Sequence, residues 1–467
     1  MTAAPLRSIA SDRAAVLSGE TSVVAQTEER IDQIRARATL SPFTKLEIAA
    51  ALDRAAQLDR AHAEGAPAGP LFGVPLAHKD MFDREGQSVG FGAHRSAQQA
   101  RDTTAAVLER LDAAGQVDLG RLAMSEFAMG PTGHNHHIGM PANPLVPGAV
   151  TGGSSSGSGA AVAEGLVAAA LGSDTGGSIR LPAACCGVVG FKPTQGRVPL
   201  IGAMPLSPSQ DCVGPLASCV ADARLVLACI SGADGRDSSC IGPALSGDAP
   251  DPRGLRVGFD RGNFMSGATA EMATLLEDTA QALLRDGNAV STLDLAFFDA
   301  LSEPANVVAM SDAVAVHADR LKVKSETYGP QLRARLAQAA AIPAHAYIRA
   351  QQIRQIALTR LLDTVFDRVD LLVLPTLMGP PPADPATNVG GGSGLNDVIA
   401  GMTRLTRPAS FLGLPALSLP AVWTDAGPLS LQIVARHWQE AQVAALAERL
   451  ESIFAARPQT QPMAAAE

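Results

Sequence analysis

The chain carries no excess of basic charge. Its 37 Lys and Arg are outnumbered by 46 Asp and Glu, for a net charge of −9, and no dense basic stretch offsets that balance. Affinity for a phosphate backbone rests on clustered Lys and Arg, so direct nucleic-acid binding is not expected; a partner with its own RNA-binding surface stays open. There is also no apolar run of about 18 residues, the length a membrane span needs. The best candidate, Ala160 to Leu171, is shorter and contains Glu164 and Gly165. Met1 to Glu20 mixes arginines with acids and lacks an apolar stretch of signal-peptide length. A soluble, cytoplasmic protein with no membrane association is expected.

Cysteine is sparse. The six residues, at 185, 186, 212, 219, 229 and 240, include no Cys-x-x-Cys pair that would suggest zinc. Without an export signal a disulfide framework is not expected either, and the thiols read as small core residues. What is abundant is apolar: 46% of residues are hydrophobic against 18% charged, which supplies a core and excludes a disordered or fibrous chain. The length, 467 residues, suits one large α/β domain or two to three ordinary ones.

Residues 8–64 read as helical, with Ser41-Pro42 as a helix start and Ile48, Leu52 and Leu58 at helical spacing. Gly69 to Pro75 breaks the pattern and leads into a short strand around Leu76. Thr103 to Ala114 is again helical and ends at Gly115, and Val117 to Gly120 looks like a strand end. The apolar run after Gly159 reads as a buried helix. Residues 255–259 and 371–374 are expected as central strands, with a mostly helical stretch, 270–368, between them. Residues 380–394, rich in Pro and Gly, read as a flexible linker. A last strand pair is expected at 414–419 and 429–434, then a helix over 439–454 and a loose tail after Ala456. Strands alternating with helices indicate α/β, and there is no internal repeat.

The most informative residues are two glycine-preceded serines. Thr151-Gly-Gly-Ser-Ser-Ser-Gly-Ser-Gly159 is followed by Gly172-Ser-Asp-Thr-Gly-Gly-Ser-Ile-Arg-Leu-Pro182, which sets Ser154 and Ser178 24 positions apart. The first segment alone has the composition of a linker. It is embedded, however, between Pro-rich turns and an apolar run, and a second Gly-Gly-Ser follows. Neither segment fits a phosphate loop, since no Gly-Lys-Ser/Thr or Gly-x-Gly-x-x-Gly is present. Upstream, Gly73-Val-Pro-Leu-Ala-His-Lys-Asp80 places one lysine at the end of an apolar segment, so that Lys79, Ser154 and Ser178 make a Ser-Ser-Lys set. His134-Asn-His-His137 lies in a Gly/Pro-rich loop without helical i, i+4 partners, so no metal site is expected there.

From Gly73 to about Gly232 the chain resembles the amidase signature family. Met124-Ser-Glu-Phe-Ala-Met-Gly130, Gly187-Val-Val-Gly-Phe-Lys-Pro-Thr194, Gly214-Pro215 and Gly413-Leu-Pro-Ala-Leu-Ser-Leu-Pro420 extend the likeness over most of the chain, most weakly from about 235 to 365. The resemblance implies a single α/β domain over 1–467, with a central mixed, twisted sheet flanked by many helices. Within it, 1–65 would be an N-terminal helical segment and 66–232 the signature core. Residues 233–400 would form a variable, mostly helical pocket region, and 401–456 strands and a helix returning to the core.

The same resemblance implies Ser178 as nucleophile, Ser154 as a bridging serine after a cis peptide bond, and Lys79 as base. Serine attacks only when a nearby base takes its proton, and a lysine is a base only where burial lowers its pKa. Asp80 would oppose that if it pointed inward. The N–H groups of Thr175, Gly176, Gly177 and Ser178 are implied as an oxyanion hole, and Met129 and Gly130 are expected at the substrate. Ser155, Ser156 and Ser158 read as loop hydrogen-bonders, Asp174 and Arg180 as a bracing pair, and His78 as a packing residue. No cofactor is implied, because lysine and serines supply the proton relay.

The function implied is hydrolysis of a small carboxylic amide through an acyl-enzyme on Ser178. Two alternatives stand beside it: the glutamine-hydrolysing component of a tRNA-dependent amidotransferase, and a urethane or biuret-type hydrolase. The amidotransferase component is expected to carry an acid shortly before Gly-Leu-Pro, but Gly401-Met-Thr-Arg-Leu-Thr-Arg-Pro408 has threonines and arginines there. Arg354 would match an arginine of the family's acyl pocket. Arg404 and Arg407 are either carboxylate acceptors or surface charges. A homodimer is the default assembly.

Overall fold

The computed structural model describes residues 7–37, 40–95, 98–245, 249–260, 262, 265–387 and 394–456. In chain order the strands are β1 Phe43–Leu46, β2 Pro75–Lys79, β3 Ser88–Val89, β4 Gln99–Ala100, β5 Val117–Leu122, β6 Ala169–Asp174 and β7 Val189–Lys192. They continue as β8 Cys212–Ala217, β9 Arg256–Asp260, β10 Ala289–Leu293, β11 Leu371–Pro375, β12 Ala416–Thr424 and β13 Gly427–Ala435. Eleven of them form one sheet in the order β1-β5-β2-β6-β8-β7-β12-β13-β11-β9-β10, while β3 and β4 pair separately. The sheet is mixed: β5, β2 and β6 are parallel, as are β11, β9 and β10, and the pairs between these blocks are antiparallel. One α/β domain with helices over a large mixed sheet is the architecture the motifs implied.

Side-chain alternation along buried strands divides the core between the two faces. On β11, Leu371 and Val373 enter one apolar cluster while Leu372 and Leu374 enter another. On β2, Leu76 and Ala77 divide in the same way. All five residues of β11 are buried, each apolar side chain contributing roughly 1.5–3 kcal/mol relative to exposure. One face is covered by Val220–Ile230 and Glu440–Ala455. The other takes Val23–Ala36 and Ile48–Ala63 near β2 and β5, and Ser302–Lys324 with Ala344–Thr364 near β11.

Several expectations need correction. Ser41-Pro42 starts no helix; it precedes β1, which pairs antiparallel with β5, and the helix begins at Ile48. Pairing with an exposed sheet edge decided the matter, not local propensity. The apolar run after Gly159 is not one helix. The helix Ser156–Ala163 ends at Glu164, with Gly165 N–H bonded to Val162 O and Leu166 N–H to Ala161 O, the Schellman arrangement. The rest of the run becomes β6, and both pieces are fully buried. A uniformly apolar run has no period to separate buried helix from buried strand. The stretch 270–368 is mostly helical but contains β10, the parallel edge partner of β9.

The linker reading of 380–394 also fails where it is described. Val150 N–H donates to Pro382 O, Asp384 N–H donates to Gly148 O, and Asp384–Thr387 is a helical turn. This segment is therefore pinned to the loop that precedes Ser154. Residues 388–393 of the reading, and the tail expected to be loose beyond Ala456, lie outside the described residues.

Candidate active site

Lys79 ends β2 and Ser173 lies near the end of its parallel neighbour β6, so both project from the carboxyl ends of parallel strands, where open α/β sheets form their binding crevices. Lys79 Nζ is 2.7 Å from Ser154 Oγ and 2.8 Å from Ser173 Oγ. Ser154 sits on the loop before the helix Ser156–Ala163, after a cis Gly153–Ser154 peptide bond. Both Lys79 and Ser154 are wholly buried. Burial holds the Lys79 ammonium down to about 7, against the opposing fields of Asp211 and Asp174. Asp80 turns away, as alternation requires, and accepts from Gly90 N–H at 2.9 Å.

Ser178 lies on the turn that follows β6 and lines a pocket with Thr175, Gly176, Met129 and Gly130. Its hydroxyl has no hydrogen-bond partner among the described residues, so the Ser154–Ser178 contact of a relay is not made in this state. Such contacts often tighten only with substrate bound. Of the four N–H groups expected to face an oxyanion, that of Gly177 is already committed to Asp174 Oδ1 at 2.7 Å. Gly177 has φ 131°, and a Cβ there would lie 2.3 Å from Thr406 Oγ1, so the turn requires glycine.

Asp174 and Arg180 form the brace expected of them, with Nε to Oδ2 and Nη2 to Oδ1 both 3.0 Å, and neither side chain exposed. Burial alone would raise the Asp174 carboxyl, but Arg180 and the surrounding donors bring it to about 2. The brace reaches further than the sequence indicated: Arg180 also donates to Ser410 Oγ at 2.7 Å, Thr406 O at 2.9 Å and Gln432 Oε1 at 3.0 Å. It thereby ties the turn to the segment before β12 and to β13.

Asp211, which sequence reasoning did not single out, accepts from Thr175 Oγ1 at 2.5 Å and from Leu206 and Ser207 N–H at 2.8 and 3.0 Å. Burial pushes it up to about 6. Ser173 was also missed, although it stands inside the second motif.

The remaining serines of the first loop hold backbone: Ser156 Oγ donates to Ala123 O at 3.3 Å and Ser158 Oγ to Leu171 O at 3.0 Å. Ser155 Oγ accepts from Ser173 N–H at 3.4 Å. His78 is fully buried on the face of β2 opposite Lys79. Its Nδ1 accepts Leu171 N–H, so Nε2 carries the hydrogen donated to Gln116 Oε1 at 2.9 Å. His134 bonds Thr132 and Asp384, and His137 bonds Glu126. Among the described residues no three His, Cys, Asp or Glu side chains group as metal ligands. All six cysteines are free, and burial raises Cys185 to about 12.

The arginines fall out differently from the expectation. Arg354 is not in the pocket: it donates to Ser209 O at 2.7 Å and Gln195 Oε1 at 2.5 Å. Arg404 pairs with Asp299 at 2.7 Å near the surface. Arg407 is buried and lines the pocket, beside Arg335, which no motif or spacing marked out. Thr403, among the residues before Gly-Leu-Pro, also lines it.

A family model described as amidase matches residues 25–444. The glutamyl-tRNA(Gln) amidotransferase A-type subunit of Chloroflexus aurantiacus (strain ATCC 29366 / DSM 635 / J-10-fl) is 35% identical over 463 residues, covering 92% of this chain and 93% of its own. Among solved structures, one reported as an unexpected vestigial protein complex revealing the origins of an s-triazine catabolic enzyme is 31% identical. It superposes with a TM-score of 0.88, over 96% of this chain and 98% of that one. A bacterial aryl acylamidase of the amidase signature family is 27% identical with a TM-score of 0.84, over 97% and 99%. No helix among the described residues is long and apolar enough to cross a membrane.

Proposed function

The chain belongs to the amidase family, the amidase signature hydrolases of C–N bonds, and on that premise we propose that it hydrolyses a small carboxylic amide through an acyl-enzyme on Ser178. The observation that carries this reading is the buried Lys79, close to neutrality and 2.7 Å from Ser154. In the proposed cycle, neutral Nζ takes the Ser154 proton while Ser154 Oγ takes that of Ser178. The Ser178 oxygen then attacks the carbonyl carbon. The oxyanion rests on the N–H groups of Thr175, Gly176 and Ser178, with Gly177 holding the turn through Asp174. On collapse the proton returns through Ser154 to the departing nitrogen. Water then enters and loses a proton by the same route; on the second collapse that proton passes back through Ser154 to the departing Ser178 oxygen, and the acid is released.

The second reading, a glutamine-hydrolysing amidotransferase component, draws on the name of the curated relatives. Against it stands the pocket itself. The described residues lining it include no Asp or Glu, so no carboxylate among them would pair with an α-ammonium. The deciding experiment measures ammonia or amine release by the purified chain from glutamine, an aryl amide, biuret and a carbamate ester. Amide turnover by the chain alone, abolished in Ser178→Ala, is the expected result. Turnover of glutamine alone, and only with partner subunits added, would favour the second reading.

A further inference from the structure

Among the described residues, the pocket beside Ser178 is lined by two cations and no anion. Arg407 lies against the turn that bears the nucleophile: a Cβ on Gly176 would be 3.4 Å from its Cγ and 4.0 Å from its Nε. Arg335 approaches from the helix Pro330–Ala339 and donates to Met129 O at 3.1 Å. Each guanidinium has five N–H donors. Among the described residues Arg407 has one hydrogen-bond partner, Asn306 Oδ1 at 3.2 Å, and Arg335 adds the Met310 sulfur at 3.5 Å. Neither forms an ion pair with a described residue. Burial, together with the charge of Arg407, lowers Arg335 to about 10, and burial, partly offset by Glu303, lowers Arg407 to about 10. Two like charges desolvated beside one cavity are unfavourable unless something negative comes between them.

We infer that the substrate is a small amide carrying a carboxylate a short chain from the scissile carbonyl, held by Arg335 and Arg407. The planar fork of arginine matches the two oxygens of a carboxylate. The pocket also limits size. It has about 70 Å³ of room for water-sized occupants, on the order of five waters at the roughly 10–15 Å³ each needs. A free ammonium on the substrate would face the same two cations, which disfavours glutamine relative to its analogue without the amino group.

This inference rests on the amide-hydrolase reading, and its test is kept separate from turnover. Calorimetry on Ser178→Ala would compare malonamate and succinamate with their neutral counterparts propionamide and butyramide. At least one carboxylate is expected to bind on the order of 10-fold to 100-fold tighter than its counterpart, as hydrogen bonds to a charged group imply. That ratio should collapse when Arg407→Gln or Arg335→Gln is added, and be partly restored by Arg407→Lys. Thermal melting of each variant checks that it is folded. Equal affinity for charged and neutral members, or a ratio unchanged in both glutamine variants, overturns the inference. Glutaramate binding no better than glutamine would overturn the exclusion of the ammonium. Ammonia release by the otherwise unaltered chain is read independently: its absence would remove the hydrolase reading and leave the binding result standing.

Discussion

The pocket has two walls of opposite construction. One is the signature wall, the turn at Thr175–Ser178 with Met129 and Gly130, while Lys79 and Ser154 are wholly buried on a strand end and a glycine-rich loop and do not line the pocket. The other is built from long helices and the segment before β12, and presents Asn306, Met310, Arg335 and Arg407. On the first wall the turn is braced by several partners, since Asp174 and Arg180 hold one another, Gly177, Ser410 and Gln432, while the Ser178 hydroxyl itself has none among the described residues. On the second, the two guanidiniums leave most of their donors unengaged by the described residues. The proposed function thus places bond-breaking on the braced part, and the proposed selectivity on the part whose contacts are still to be made.

Replacing the nucleophile should separate the walls most sharply. Ser178→Ala is expected to reduce kcat/KM for any amide substrate at least about 10³-fold in an ammonia-release assay; a variant with full activity would remove the assignment. Lys79→Ala should follow, with a loss of roughly 10²- to 10⁴-fold. Because burial lowers Lys79 to about 7, the neutral amine accumulates as pH rises. The kcat/KM of the unaltered chain should therefore climb through pH 7, and this limb should vanish from the residual activity of the variant.

The brace is the next test. Arg180→Ala strands the Asp174 carboxylate in the interior, and urea unfolding should show a destabilisation of about 3–5 kcal/mol. Gly177→Ala forces a Cβ against Thr406 at a left-handed φ and should cost about 1–3 kcal/mol in the same assay. The smallest effect is expected outside both walls. Arg404→Ala breaks a partly exposed ion pair with Asp299, worth about 0–1 kcal/mol, and should leave the substrate preference unchanged. A large change in preference there would mean that the division between the walls is drawn in the wrong place.

How far the chain could be read in advance depended on whether its signals were local. The helix expected to end at Gly115 does so, with Gly115 in the left-handed conformation, and the strand expected at 371–374 is β11 in full burial. The last strand pair, expected at 414–419 and 429–434, is the longer pair β12–β13, and the helix expected over 439–454 is Glu440–Ala455. β1 and β10 were hidden because edge strands draw their stability from a neighbour far away in the chain. β6 was hidden inside an apolar run that would suit either secondary structure.

The candidate site divides along the same line. Sequence by itself singled out Lys79, Ser154 and Ser178, the residues proposed to carry the chemistry, since serines among glycines and a lysine closing an apolar segment are compact, local patterns. Tertiary structure alone decided that Arg407 faces the pocket while Arg354 and Arg404 do not, that Arg335 joins it, and that Asp211 and Ser173 complete the surroundings of Thr175 and Lys79. An arginine's role depends on what surrounds its guanidinium, and those neighbours come from segments one to two hundred residues away. No window of sequence contains them; only the packed sheet and its helices bring them together.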